Sequence, residues 1–420
     1  MEKYERLEIN MGAHRKSGYE LICAYPGCGA PFQSPSPHRK YCVKHYNGIE
    51  HDIPDTEGMV RGAQPSQQAI LNRVREREEL RADILREDAA AFLAQHKPLG
   101  PISPNLLATR IEDMGFDTPQ EAVALFSDLH YGSKIDPRVT GGLAYYDREV
   151  ADERLTRYRD GILRFTQMMQ ALMPVDTLHL LCLGDDIEGH GQMFGTQALQ
   201  MTDSAHFQVL GLVDHMSGIL LDLLQRYKHI KVYKVFGNHG RIAAKARDSY
   251  PPDNLELLAW NHIADRVRAQ TGGEWVDRGD GDRRLEGGMI DFRITPSFLM
   301  RFNIFDFIFV IRHGHGIKGL QATYTGAIEN KNRLNSVYGE VINYYIKAHL
   351  HEAQSAEHEI GGEILQNGCF VGPSLLSVEM SRAAANIPSQ ELFFMHPKHG
   401  KTHHHRIRLA SVEEMRKYVH

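Results

Sequence analysis

The sequence predicts a layered α/β fold, and two kinds of pattern support that prediction. Five apolar runs have the length and composition of buried β-strands, and they occupy residues 122–126, 178–183, 232–236, 305–311 and 342–346. Amphipathic helical patterns at residues 155–173 and 205–227 each precede one of these strands. Strands that alternate with helices are expected to form sheets covered by helical layers.

A short polar motif follows each of the five predicted strands. The motifs are Ser127-Asp128-Leu129-His130, Gly184-Asp185-Asp186, Gly237-Asn238-His239-Gly240, His313-Gly314-His315 and His349-Leu350-His351. Neighbouring strands of a layered α/β fold open onto a common crevice, so these side chains are expected to converge. Imidazole, carboxylate and amide groups suit first-row divalent cations, and one Asp can bridge two of them. A single motif could be an ordinary turn, but five in series predict a two-metal site.

The series also resembles a known family. The order Asp-x-His, Gly-Asp, Gly-Asn-His, His-Gly and His-x-His is similar to that of the metallophosphoesterases, also called calcineurin-like phosphoesterases, over residues 122–351. The resemblance implies a four-layer α/β/β/α sandwich. It implies one metal held by Asp128, His130 and His351, a second metal held by Asn238, His313 and His349, and Asp185 as the bridge between them.

Further roles follow from the same resemblance. It implies that His239 acts as general acid or as a donor to the phosphate, and that His315 lies beside the metal ligands. Two positions depart from the family pattern. Ala348 stands where a Gly commonly precedes the last His pair, and Gly240 stands where an acidic residue often follows Asn-His. Neither departure removes a ligand.

The metal site and the resemblance together predict a phosphoesterase. In such sites two cations activate a bridging water and clamp the phosphate oxygens for in-line displacement. We expect Mn²⁺, with Fe, Zn, Ni and Co as alternatives that suit the same ligands. The expected reaction is hydrolysis of phosphodiester bonds in DNA or RNA. Two alternatives stay open: a phosphohydrolase of nucleotides, cyclic nucleotides or phosphoproteins, and a metal-binding scaffold without turnover.

The carboxy-terminal region, residues 368–420, resembles the tail of bacteriophage-type calcineurin-like phosphoesterases, some of which are described as DNA-repair nucleases. The residues that carry this likeness are Gly372-Pro373-Ser374, Gln390 and Pro397-Lys398-His399-Gly400. It strengthens the expectation of a nucleic-acid substrate. The nearby run His403-His404-His405 is expected to alternate between the two faces of a strand, not to bind a metal.

Three of the five cysteines predict a second kind of metal site. Their spacing is Cys23-x4-Cys28-x13-Cys42-x2-His45, which suits a tetrahedral Cys₃His structural Zn²⁺. The alternatives are free thiols or a disulfide, and nothing in the sequence indicates the oxidising compartment that a disulfide needs. Prolines at 31, 35 and 37 predict an irregular loop inside this module. The remaining two, Cys182 and Cys369, are expected to be small buried apolar residues.

Composition predicts three segments: a zinc-finger-like module at 1–50, a linker with a helical part at 51–118, and a catalytic domain at 119–420. The helical pattern at 67–96 has one apolar stripe among Arg and Glu, which could pack on the catalytic domain or on a second copy of the chain. Homo-oligomerisation through this helix is therefore one expectation.

Charge and hydropathy exclude several classes of protein. No run approaches the roughly 18–20 apolar residues of a membrane span, and residues 1–6 lack a signal-peptide core. We therefore expect no membrane partner and a cytoplasmic location, in a bacterium or a phage-infected host. The formal net charge of -5 disfavours a globally basic nucleic-acid binder, so any polyanion must be bound by a local group of cations.

Overall fold

The computed structural model describes residues 19–22, 29–34, 118–245, 248–315, 324–358, 362–373 and 387–417, together with isolated positions between 72 and 87. The chain divides into two compact units, Met1–Ile102 and Ser103–His420. The second unit contains all the residues predicted to bind the divalent cations.

The first unit contains a short antiparallel hairpin. Strands β1 (Tyr19–Ile22) and β2 (Pro31–Ser34) pair with Ile22 opposite Pro31. The predicted irregular loop is therefore wrong at residues 31–34. A proline is tolerated there because the first residue of a strand can lack a backbone N–H. The predicted zinc ligands, Cys23, Cys28, Cys42 and His45, lie outside the described residues, and the described positions between 72 and 87 are helical.

The second unit is built around two β-sheets. Its strands are β3 (Glu121–Phe126), β4 (Thr177–Cys182), β5 (His229–Lys234), β6 (Glu274–Val276), β7 (Arg283–Glu286), β8 (Ile290–Ile294), β9 (Leu299–Ile304), β10 (Phe307–Arg312), β11 (Tyr344–Lys347), β12 (Gln354–Glu357), β13 (Glu363–Gln366), β14 (Ser389–His396) and β15 (Gly400–Arg408). The larger sheet has the order β15-β14-β3-β4-β5-β8-β7-β6, and the smaller sheet has the order β12-β13-β11-β10-β9.

Parallel strands occupy the centre of each sheet. In the larger sheet β3, β4, β5 and β8 run parallel, and in the smaller sheet β10, β11 and β13 do so. Strand β3 is buried along nearly all its length, as expected for a central parallel strand that is covered on both faces. Parallel strands deliver the residues that follow them to one edge of a sheet, so the polar motifs come together.

Helices and sheets form four layers. The helices are α1 (Arg148–Gln170), α2 (Ala205–Leu223), α3 (Leu255–Thr271), α4 (Tyr324–Tyr338) and α5 (Val412–Arg416). The first three share one apolar cluster with the larger sheet, in which Tyr158 and Trp260 pack with Phe126. The two sheets share a second cluster, and α4 packs on the far face of the smaller sheet through a third. The predicted four-layer α/β/β/α sandwich is confirmed.

Sequence patterns explain where α1 begins and which of its faces is buried. The Asp147 side chain accepts the Val150 N–H at 3.0 Å and so caps the first turn. Apolar residues then recur at spacings of three or four, which places them on one buried face; they are Ala151, Leu155, Tyr158 and Ile162.

One predicted strand is divided differently in the structure. The apolar run at 305–311 was predicted as a single strand, but Phe305 and Asp306 form the turn between β9 and β10. Phe305 has a φ of 51°, which is uncommon for a bulky residue. The run contains one polar residue, Asp306, and this residue lies in the turn, while Phe305 packs on the core as a strand residue would. None of the helices in the described ranges has the length and apolar character that crossing a membrane requires.

Candidate metal centre

The loops after five strands bring the predicted ligands together. Among the described residues, three groups of side chains have ligand atoms within 4.8 Å of one another. They are Asp128 with His130 and His351, His130 with Asp185 and His239, and Asp185 with His313 and His349. The groups are connected, because His130 and Asp185 each belong to two of them.

The first half of the centre follows β3 and β11. His351 Nε2 lies 3.4 Å from Asp128 Oδ1 and 3.3 Å from His130 Nε2. Asp128 is fully buried, and its Oδ2 accepts the backbone N–H of His349 at 3.4 Å. This half therefore contains one carboxylate and two imidazoles whose ligand atoms point at one another.

The second half follows β4, β5, β10 and β11. His313 Nε2 lies 2.9 Å from Asp185 Oδ2 and 3.1 Å from His349 Nδ1. Asp185 is buried, and burial opposes its ionisation, but His313 and His239 hold the pKa of this carboxyl well below its ordinary value. Asn238 belongs to the same loop as His239 and has a buried Oδ1.

Hydrogen bonding at these atoms fits divalent cations. The ring nitrogen Nδ1 of His313 contacts the Leu183 carbonyl oxygen at 3.0 Å, so Nδ1 carries a proton and Nε2 is the acceptor whenever the ring is neutral. That acceptor faces the Asp185 carboxylate. Two buried acceptors, Asp128 Oδ1 and Asn238 Oδ1, have no hydrogen-bond partner in the part of the chain that the structure describes. Acceptors that converge without donors are what a cation site requires, so the residues fit the predicted group.

The backbone at the candidate ligands is strained. Six non-glycine residues in the described ranges have a positive φ, and five of them are predicted ligands: Asp128 (54°), His130 (48°), Asp185 (55°), His349 (76°) and His351 (60°). Such conformations cost on the order of 1–3 kcal/mol each and persist where the surrounding structure imposes them. Their concentration in one place is typical of a functional site.

Two glycines permit the loops after β4 and β5 to touch. A Cβ at Gly184 would lie 2.3 Å from the backbone nitrogen of Gly237, and a Cβ at Gly237 would lie 2.1 Å from Asp185 Oδ1. Any larger residue at either position would push Asp185 away from Asn238. The two motifs therefore need Gly for close approach.

The structure explains one of the two departures from the family pattern. A Cβ at Gly240 would lie 2.3 Å from Asn254 Oδ1 and 2.7 Å from Glu256 Cγ, so the start of α3 fills the space of a larger side chain. Ala348 is fully buried, and it has no positive φ that would favour Gly.

His239 and Glu188 form a pair that the sequence analysis did not identify. His239 Nδ1 lies 3.2 Å from the Glu188 carbonyl oxygen and 3.5 Å from its Oε1. Burial lowers the pKa of His239, but Asp185 and Glu188 outweigh it and raise the pKa to about 9. Glu188 also accepts from His130 Nδ1 at 3.0 Å and from Gln197 at 2.8 Å. The sequence signal for Glu188 was its position three residues after Asp185.

Two further predictions concern His315 and the run His403-His404-His405. The His315 ring lies 5.5 Å from the His313 ring, outside the three ligand groups, and burial lowers its pKa to about 3. His404 contacts Glu391 at 2.6 Å while His405 stacks on Phe165, so these residues do alternate between faces of β15.

Both described cysteines, Cys182 and Cys369, are free and buried, as predicted. Each therefore has the small, buried character of an apolar core residue.

The chain is similar to several solved structures at low sequence identity. No family model and no curated protein matches the sequence. Among solved structures, the chain is similar to a dimetal phosphatase from Danio rerio, at 11% identity and a TM-score of 0.33, with 69% of this chain and 99% of that chain covered. It is also similar to vacuolar protein sorting 29 from Cryptosporidium parvum, at 15% identity and a TM-score of 0.30, with 70% of this chain and 100% of that chain covered.

A third similar structure is a conserved uncharacterized protein, a predicted phosphoesterase, from Streptococcus pneumoniae. It shows 9% identity and a TM-score of 0.26, with 68% of this chain and 97% of that chain covered. At these identities and TM-scores, the likeness carries no weight for the activity of this chain.

Proposed function

We propose that the chain is a metal-dependent phosphoesterase with two divalent cations in its centre. One cation would be held by Asp128, His130 and His351, the other by Asn238, His313 and His349, and both by Asp185. The observation that supports this assignment is the connection of the ligand groups through Asp185, which shares one group with His313 and another with His130.

The two oxygens of Asp185 have separate contacts. Oδ1 accepts the His239 backbone N–H at 2.9 Å, which orients the carboxylate. Oδ2 lies 2.9 Å from His313 Nε2 and 3.9 Å from His130 Nε2, between the two halves of the centre. A carboxylate placed in this way can serve both halves at once.

Divalent cations held there would polarise the phosphoryl group and lower the pKa of a nucleophilic water. The chain itself supplies a buried, preorganised set of ligands, in surroundings where electrostatic interactions are stronger than in water. Asn238 contributes a neutral oxygen, which limits the negative charge that would repel a phosphate.

His239 is the residue that we propose protonates the leaving oxygen. Its Nδ1 contacts the Glu188 carbonyl oxygen at 3.2 Å, which fixes the ring and leaves Nε2 as the atom that exchanges a proton with the substrate. The side chain keeps 16% of its surface exposed, so a substrate can reach it. General acid catalysis of this kind contributes roughly 10²–10⁴-fold.

We propose nucleic acid as the substrate class. Its support is a pair of arginines, Arg241 and Arg312, that line a cleft together with Asn238. The net charge of -5 means that phosphate affinity must come from local cations of this kind. The resemblance of the carboxy-terminal region to phage-type enzymes points in the same direction.

The first experiment measures hydrolysis of bis-p-nitrophenyl phosphate and of end-labelled single- and double-stranded DNA with Mn²⁺. It compares wild type, Asp185→Asn and the control Asp176→Asn, which alters an exposed ion pair with Lys228 just before β4, at the opposite end of that strand. We expect Asp185→Asn to lose roughly 10³-fold or more in activity, because both halves lose a shared ligand. Asp176→Asn should retain wild-type rates.

Each outcome has a definite meaning. Metal-dependent DNA cleavage that disappears in Asp185→Asn would support the nuclease. Diester hydrolysis without DNA cleavage would replace it with a small-molecule phosphodiesterase. Absence of turnover in wild type, with Mn²⁺ still bound in calorimetry, would favour the scaffold.

A second prediction separates His239 from the ligands. His239→Asn should slow hydrolysis roughly 10²-fold while leaving the calorimetric Mn²⁺ stoichiometry at the wild-type value. The matched control is His229→Asn, because His229 begins the strand that His239 follows and pairs with Asp291 at its far end. Equal loss of Mn²⁺ from His239→Asn and Asp185→Asn would contradict the assigned role.

We also propose one structural Zn²⁺ held by Cys23, Cys28, Cys42 and His45. In sequence, the first two ligands fall between the strands of the β1–β2 hairpin, an arrangement that suits a zinc knuckle. Elemental analysis should find one zinc per chain, and Cys28→Ser with Cys42→Ser should remove it. Retention of zinc in that double variant would contradict the proposal.

A further inference from the structure

A cleft of about 370 Å³ opens directly beside the candidate metal centre. Its walls include Phe236, Asn238, Arg241, Phe298, Arg312 and His315. Asn238 belongs both to this cleft and to the predicted ligand set. A substrate with its phosphate at the centre would therefore have its neighbouring group in the cleft.

One wall of the cleft is aromatic. The Phe298 ring lies 5.3 Å from Phe236 and 5.5 Å from His315, and Phe236 lies 6.1 Å from His315. Phe298 keeps 48% of its surface exposed although these rings surround it. An exposed aromatic face beside a phosphate site is a platform on which a nucleobase can stack.

The cleft also contains two cations. Arg241 Nε donates to the Ala243 carbonyl at 3.1 Å, and Arg312 Nη2 donates to the His315 carbonyl at 3.4 Å. No carboxylate in the described ranges forms an ion pair with either arginine. Arg312 Nε is buried and has no hydrogen-bond partner among the described residues. Guanidinium groups held by carbonyls and lacking carboxylate partners are suited to a phosphate.

We propose that this cleft binds one unpaired nucleotide next to the scissile phosphodiester, with its base on Phe298 and its phosphate on Arg241 and Arg312. The inference rests on the proposed phosphoesterase function and specifies its substrate. The volume lies at the small end of ligand sites, which suits a single base and not a base pair. Since a base inside a duplex cannot present its face to Phe298, single-stranded nucleic acid should be preferred.

Two substrates with the same leaving group test the inference. Thymidine 5′-(p-nitrophenyl) phosphate carries a nucleoside, and methyl p-nitrophenyl phosphate does not. We expect wild type to favour the first by roughly 10-fold or more in kcat/KM, and Phe298→Ala to remove most of that preference by raising KM. Phe298→Tyr, which keeps an aromatic face, should restore it. The control is Phe207→Ala, an exposed Phe on α2 that does not line the cleft.

The outcomes distinguish the inference from the function on which it rests. Hydrolysis of neither substrate with Mn²⁺ would count against the proposed function. Hydrolysis of both substrates, with a preference that Phe298→Ala leaves unchanged, would overturn the nucleotide site and leave the phosphoesterase intact.

A binding experiment tests the cleft independently of turnover. Fluorescent oligo-dT and the matching duplex are titrated against the full chain over a range of salt concentrations. We expect tighter binding of the single strand, weakening by roughly 10-fold in Phe298→Ala, and a salt slope smaller by about 0.7 in Arg312→Gln. Arg266→Gln changes the net charge equally at an exposed pair on α3 and should keep the wild-type slope. Equal affinity for the single strand and the duplex in all variants would overturn the proposal.

Discussion

The two halves of the candidate metal centre are supported by different kinds of buried network. Beneath Asp185 and Asn238 lies a charged network. Lys234 is fully buried, contacts Asp186, and lies 2.8 Å from Glu256 Oε2. Glu256 in turn accepts the Gly237 N–H at 3.1 Å, so α3 holds the loop that carries Asn238.

Beneath Asp128 the network is neutral. Gln390 Oε1 accepts the Ser127 N–H at 3.0 Å, and Gln390 Nε2 donates to the Ser127 carbonyl at 3.1 Å. Asn367 donates to Gln390 at 2.6 Å and to the Ser127 hydroxyl at 2.9 Å. These amides connect β3 with β14 and with the loop after β13, and so support the turn that carries Asp128.

The two networks both support a ligand-bearing loop, but removing one residue has a different free-energy cost in each. A buried ion pair contributes little net stability, but removing one partner leaves an uncompensated charge and costs about 3–5 kcal/mol. An unpaired neutral amide costs about 1–3 kcal/mol. Burial raises the pKa of Asp186 to about 6 although Lys234 opposes it, which shows how strongly this environment disfavours charge. The stability of the second half, which contains Asn238, should therefore be the more sensitive to substitution of its supporting network.

The largest effect is expected from Lys234→Met. This change leaves Asp186 and Glu256 without their cation and should lower the free energy of unfolding by about 3–5 kcal/mol, as measured by urea denaturation. Lys228→Met is the control, because its pair with Asp176 is exposed and contributes at most about 1 kcal/mol.

A triple variant sharpens that comparison. Combining Lys234→Met with Asp186→Asn and Glu256→Gln converts the charged network into a neutral one and should recover more than half of the lost stability. Failure of the triple variant to exceed Lys234→Met would show that packing, and not charge, controls this half.

A smaller effect is expected from Gln390→Leu in the neutral network beneath Asp128. The backbone groups of Ser127 lose their partners, so the free energy of unfolding should fall by about 1–3 kcal/mol. Gln225→Leu, at an exposed position after α2, should change stability by less than about 0.5 kcal/mol. A loss from Gln390→Leu as large as that from Lys234→Met would remove the distinction between the halves.

The smallest effect is expected from Asn254→Ala, which removes one link between α3 and the loop that carries Asn238. Asn254 caps α3 by accepting the Glu256 N–H at 2.9 Å and donates to the Gly237 carbonyl at 3.1 Å. The loss should be about 1 kcal/mol, together with weaker Mn²⁺ binding in calorimetry. Asp147→Ala removes the cap of α1 and should cost a similar amount without any change in Mn²⁺ affinity. Equal Mn²⁺ affinities in the two variants would show that Asn254 does not support the metal centre.

Much of the site could be predicted from local sequence. The motif residues from Asp128 to His351 are recognisable because each follows an apolar strand and bears a metal-binding side chain. Glu188 could not be assigned in the same way, because its contacts with His130 and His239 join three loops. The turn at Phe305 was missed for a different reason: Phe305 is apolar and packs on the core, and Asp306 is the one polar residue of the run that marks the turn.

The sequence by itself determined the five strands that precede the polar motifs, the order of those motifs, and the chemical types of the candidate ligands, because periodicity and residue type are local properties. Tertiary structure decided which networks support them. Ser127 and Gln390 meet across 263 positions, through the pairing of β14 with β3. Lys234 lies inside the predicted buried strand at 232–236, and its pairing with Glu256 depends on the packing of α3. Such pairings depend on strand register and helix packing between distant segments, which no local pattern encodes.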